Sequence, residues 1–242
     1  MNHLTKKGIY PWFSIIGGLV GLALQIWLFS TADANELLCR YHFAAIASLV
    51  LLVAVVAFNI VMSRKETNFS RERLENASAP AAIGIAVSAV GFLVASFTPV
   101  GSGFLYKLLP ISGVLAAIAM LYIAYNRSKG VRVNMLLYCL VVLFLIVRTM
   151  TACSLWSAEP QLMQFFFPLM ACVFLLVAAY YRAELALETK HCHRYIFASQ
   201  TALFCCCMSC RGSNWLFFLS AVVWLLADFP VIAVRNAGET HE

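Results

Sequence analysis

The chain has 242 residues, 62% of them hydrophobic and 12% charged, with a mean hydropathy of +0.85. A soluble domain carries about 25% charged residues, so this composition excludes a water-soluble globule, which could not be coated with so little polar surface. The formal charge of +6 sits in short segments between apolar runs, as expected of loop charge that orients a chain in a bilayer. No motif for reading RNA or DNA is present, and no nucleic-acid partner is expected.

A helix crossing about 30 Å of hydrocarbon needs around 20 residues. Eight stretches qualify, at approximately residues 10–31, 41–62, 81–98, 108–125, 135–156, 162–181, 195–209 and 214–234. Together they predict one all-α transmembrane domain over 1–242, an eight-helix bundle in four hairpins with both termini cytoplasmic.

The first stretch opens with Lys6 and Lys7 and closes on Ala32 and Ala34, which mimics a cleavable signal peptide, but its apolar run exceeds the 7–15 residues of a signal core. It is therefore expected to remain as a span. Gly17 and Gly21 form a GxxxG pair in it, and Gln25 is its polar residue. The second span carries Asn59. In the third, Gly84, Ser88, Gly91 and Ala95 follow helical spacing and make one stripe. Small residues let helices approach closely in lipid, so the third helix is expected to lie centrally, gripped on that stripe. Gly113 and Ala117 make a similar pair in the fourth. Most prolines (Pro80, Pro99, Pro110, Pro160, Pro230) fall near span ends, whereas Pro168 lies inside the sixth and could kink it.

The fifth span contains Arg148, about 13 residues and roughly 20 Å from its inner boundary. A charge at membrane depth costs about 2.5–3.5 kcal/mol at the helix centre and usually faces the bundle interior or a cavity. Gln25, Thr98, Thr149, Thr151 and Gln164 share its outer level. Inward-facing, Arg148, Gln25, Gln164 and Thr149 would form a polar pocket with one fixed cation, suited to a carboxylate or phosphate because the guanidinium fork engages two oxygens. The alternative is that Arg148 snorkels to the outer headgroups. Asp228, the only acid inside a span, is the obvious counter-ion, although the depths differ by about 10 Å. Asp228, Asn59 and Gln200 form an inner polar tier, either one end of a solute path or interhelical hydrogen bonds.

The seventh span is short and contains FCCCMSC, with Cys207 and Cys210 at CxxC spacing. Zinc would want a second ligand pair, and HCH at 191–193 is predicted on the opposite side, so no metal site is expected. Buried cysteine also serves as a small hydrophobe; Cys39 and Cys153 on the same outer side leave disulfides open.

Loop charge tests the count. Thirteen of the 17 basic residues, including Arg64, Arg127, Arg132, Arg182 and Arg194, would be cytoplasmic, against Arg40, Lys107 and Arg211 outside. Omitting the seventh span would place Arg235 outside. The sequons at Asn68, Asn76 and Asn126 then fall on the cytoplasmic side and read as chance. YIAYNR (122–127) and VAAYYR (177–182) echo each other, which aromatic and basic anchoring at an interface alone would produce.

These features predict a multi-pass protein of a bacterial-type plasma membrane that binds or transports a small solute, an anion by the chemistry of Arg148, alone or with a membrane-complex partner. HExxH, GxSxG, Walker A and paired intramembrane carboxylates are missing, which points away from an enzyme built on those devices, and no cofactor is expected. Two other readings stand beside it: a membrane-embedded enzyme acting on lipid or thiol substrates, and a non-catalytic scaffold subunit.

Overall fold

The computed structural model describes residues 10–31, 43–65, 78–98, 104–156, 162–187 and 192–228. Among them are eight α-helices and no strand: α1 Tyr10–Thr31, α2 Phe43–Lys65, α3 Ala79–Ser96, α4 Phe104–Lys129, α5 Met135–Trp156, α6 Leu162–Leu187, α7 Cys192–Met208 and α8 Trp215–Ala227, the last preceded by a 3-10 turn at Gly212–Asn214. Six of them, α1 to α6, are long and apolar enough to cross a membrane. The eight expected stretches each contain a helix. The segment 229–234 of the eighth stretch, Cys39, His42, Asn68, Asn76, His191, Pro99, Pro160 and Pro230 lie outside the described residues.

Two helices are longer than expected, with consequences for the site. The fourth runs to Lys129 instead of ending near residue 125, and the sixth runs to Leu187 instead of 181. Arg127 and Arg182, expected in loops, are therefore helical, and both are buried. The end of α4 is set by Gly130, whose φ of 65° is open to glycine at little cost. There the Val131 N–H bonds the Asn126 carbonyl and the Gly130 N–H bonds the Arg127 carbonyl, a Schellman cap that satisfies carbonyls the helix end would leave bare. The N–H of Ser78 also donates to the Arg127 carbonyl, while the Ser78 side chain caps α3 at the N–H of Ala81. The α3 start and α4 end are thus joined through the backbone of the residue whose side chain matters most below.

Helices α3 to α8 pack each against the next, and α8 returns to α3, closing a circuit of six; α1 and α2 pack on each other and both on α7. Helix α7, touching α1, α2, α6 and α8, holds the central position expected for α3. The small-residue stripe of α3 is nevertheless a packing face, directed at α8. A Cβ at Gly91 would lie 1.9 Å from Ser220 Oγ, and one at Gly84 would lie 3.2 Å from Ala227 Cβ. Gly18 and Gly21 play the same part for α1 on α7, where a Cβ would stand 2.6 Å from Cys207 Cβ and 2.7 Å from Met208 Cγ. The adjoining face of α3, with the cap residue Phe97, exposes Ile83, Val87, Val90 and Val94, an apolar row that water would penalise and hydrocarbon accepts. Phe92, Phe144, Phe217 and Trp224 fill the space between α3, α5 and α8, with ring centroids 5.4–6.4 Å apart.

Because the α3–α8 contact is this close, Gly91→Val is expected to cost about 1–3 kcal/mol by overpacking. Gly91→Ala should recover most of its smaller loss when combined with Ser220→Gly, as read from thermal unfolding of the detergent-purified protein. Failure of the double variant to recover would place the clash elsewhere.

Candidate functional site: buried charge at the two ends of the last helix

The buried charged side chains among the described residues are Arg127, Arg148, Arg182 and Asp228. Taken out of water, each costs several kcal/mol unless paired, so the partners decide what each can do. They fall at opposite ends of α8, about 20 Å apart along that helix.

At the start of α8, Arg148 Nη2 donates to Asn214 Oδ1 at 2.6 Å, and the guanidinium lies 4.9 Å from the Phe217 ring centroid. Only 4% of Arg148 is exposed, so the side chain is enclosed by protein and does not extend to the periphery. The neutral partner leaves its charge intact. Asn214 escaped sequence reasoning because it lies in a turn beyond the apolar run, with no periodicity to place it.

The end of α8 is built differently. Asp228 caps the helix there, where the dipole disfavours a carboxylate. Three side chains from three other helices converge on it. Arg182 Nε of α6 lies 3.2 Å from Oδ2, Arg127 Nη2 of α4 lies 3.7 Å from Oδ1, and the Tyr195 hydroxyl of α7 donates to Oδ2 at 2.5 Å. Arg182 also stacks over the rings of Tyr138 and Tyr195, at 5.1 and 5.9 Å. Asp228 therefore pairs with Arg182 and Arg127, and Arg148 is not its counter-ion. The two arginines are the final residues of the echoed strings YIAYNR and VAAYYR. That echo was the available signal, and charge-side counting absorbed it by assigning both arginines to loops.

The remaining residues expected in a site are distributed as follows. Gln25 donates to Ser48 Oγ of α2 at 3.1 Å, and its backbone carbonyl accepts from Arg211, which lies over Phe29. Thr149 returns its hydroxyl to the Leu145 carbonyl of its own helix. Gln164 begins α6, and its side chain lies outside the described residues. Gln25 and Arg148 thus belong to separate bonded groups. Asn59 links three helices, accepting from Ser14 of α1 and donating to Thr201 of α7, both at 3.3 Å. Gln200 is buried with Oε1 lacking a hydrogen-bond partner. The inner tier is therefore two constellations: Asn59 with its hydroxyl neighbours, and Asp228 with its cations.

Cys205, Cys206 and Cys207 are free thiols packed in the core, and Cys210 Sγ lies 3.1 Å from the Cys206 carbonyl. Beyond the end of α7, burial pushes the Cys210 thiol up to about 11, so at neutral pH it is protonated and a poor nucleophile. Among the described residues, no group of three or more His, Cys, Asp or Glu is placed to hold a metal ion. Asn126, the sequon that can be seen, is buried within α4.

Six helices fit to cross a bilayer and faces lined with exposed apolar side chains make the chain a multi-pass membrane protein. No protein-family model, curated protein or solved structure matches it.

Removing Asp228 would leave two buried guanidinium groups facing each other, so Asp228→Asn is expected to lower stability by about 3–5 kcal/mol. The check is thermal unfolding in detergent; an unchanged midpoint would show that the carboxylate does not hold the cluster. In single-cysteine variants, exposed Cys153 should label with maleimide in the folded protein and Cys206 only after denaturation. Equal labelling would contradict the packing of α7.

Proposed function

We propose that this membrane protein binds a small anion within its helix bundle, as a solute-binding or transport component acting alone or with a membrane partner. One observation carries the reading. Three guanidinium groups and one carboxylate are buried among the described residues, an excess of buried cations where desolvation is most costly. Arginine keeps its proton in such surroundings, so the ligand these groups favour is an anion. Arg148, held by a neutral amide and an aromatic face, keeps the charge of a ligand-binding group; Gln25, Gln164 and Thr149 are the other residues proposed for the outer tier, and Asp228, Asn59 and Gln200 for the inner tier. With both termini on the cytoplasmic side of a plasma membrane, the Asp228 end of α8 faces the cytoplasm.

The test is the thermal midpoint of the purified protein across a panel of carboxylates and phosphates at ionic strength matched with chloride. The parent should rise by several degrees with one class of anion, and Arg148→Gln, more than Arg148→Lys, should reduce the response of any ligand held at the outer tier. A flat panel for the parent would overturn the reading. The aromatic filling of the space between α3, α5 and α8 favours a second reading, a non-catalytic scaffold subunit; that reading expects the flat panel together with co-purification of a stoichiometric membrane partner.

A further inference from the structure

We infer that Arg127, with Arg182 and Asp228, forms a phosphate-binding site where α4 and α8 end. The inference rests on the anion-binding reading above and gives it a place and a ligand class.

Arg127 is 2% exposed, and its Nε, Nη1 and Nη2 all lack a hydrogen-bond partner; among the described residues its one ionic neighbour is Asp228, at 3.7 Å. Those nitrogens carry five N–H donors in a planar fork, and leaving buried donors unmade is among the more costly defects a fold can carry. Asp228 cannot serve them fully, because its Oδ2 already takes Arg182 and the Tyr195 hydroxyl. Among the described residues, two buried cations meet one carboxylate here. The vacant donors of Arg127 suit an oxyanion. A carboxylate brings two oxygens, whereas a phosphate brings a tetrahedral set, which better meets a fork with every nitrogen vacant.

Position suits this ligand. Arg127 lies in the last turn of α4, held in place by the Gly130 cap and the bond from Ser78. Asp228 is the cap of α8. The site thus sits at the polar edge of the bundle, where lipid phosphates and water-borne phosphates both occur. Exposed Lys129 and Arg132 follow on the same connection, adding positive potential that draws anions in.

The experiment uses the full chain, stripped of lipid in detergent. Its thermal midpoint is followed with inorganic phosphate, with acetate, with chloride at equal ionic strength, and with micelles doped with phosphatidylglycerol against phosphatidylcholine. The parent is expected to rise by several degrees with phosphate or phosphatidylglycerol. A response to inorganic phosphate identifies a soluble ligand, and a response to phosphatidylglycerol alone identifies a lipid headgroup. Arg127→Gln should lose the shift, and Lys107→Gln, an exposed charge at the opposite end of α4, should keep it. Should Arg127→Gln not fold, Arg127→Lys, which keeps the charge without the fork, is expected to lose at least half the shift. Asp228→Asn should start from a lower midpoint yet show a larger phosphate shift, because the carboxylate no longer competes with phosphate for Arg127; a merely structural carboxylate would not produce that increase. The proposal is overturned if acetate acts and phosphate does not, or if the Arg127 variants respond as the parent does. A phosphate response lost in Arg148→Gln and kept in Arg127→Gln would leave anion binding standing and remove this site.

Discussion

The carboxylate of Asp228 is the point to which the rest of the bundle is tied. A single acid in a low-dielectric interior cannot remain ionised without partners, and its partners come from α4, α6 and α7, while Asp228 itself ends α8. Four helices are thereby held at one level. Rotating α4 or α6 by one residue, about 100°, would carry Arg127 or Arg182 away from it. Tyr195 stands in the first turn of α7, where the positive end of that helix also favours the carboxylate. The cluster works as a register pin as well as a charge sink, a role in which buried polar groups are best attested.

Around this pin, cohesion comes from close packing of small residues. In lipid, association gains little from burying apolar surface, because the tails are as apolar as the side chains. What distinguishes one helix pair from another is how near the backbones come. Gly91 against Ser220, Gly18 against Cys207 and Gly113 against Ser96 each leave no room for a methyl group. The cysteines of α7 belong here too. They are small, polarisable side chains on the helix that touches four others, which explains the string FCCCMSC without redox chemistry.

Much of the helix layout could be read from composition, because hydrocarbon thickness fixes the length of an apolar run. Helix α7, only 17 residues long, was still identifiable as an apolar run between Arg194 and Arg211. The ends of α4 and α6 were misjudged for a related reason. A basic residue after an apolar run reads as a boundary, yet Arg127 and Arg182 continue the helices and are buried. Charge counting places arginines on a side of the membrane but does not say whether the side chain faces headgroups or protein. The depth of Arg148 was legible from its position in the run. Its partner Asn214 and the partners of Asp228 were not, because helix rotation is decided by packing between segments far apart in sequence.

The cluster also has a consequence for biosynthesis. Arg127 emerges from the ribosome about a hundred residues before Asp228, and at about 5–20 residues per second that is a delay of roughly 5–20 s. During this interval α4 and then α6 reach the bilayer bearing cations whose carboxylate has not been made. Until α8 is made, the ion pairs of Arg127 and Arg182 with Asp228 cannot form. The end of the bundle where α8 finishes therefore acquires its buried charge pairing only after the other helices have been synthesised.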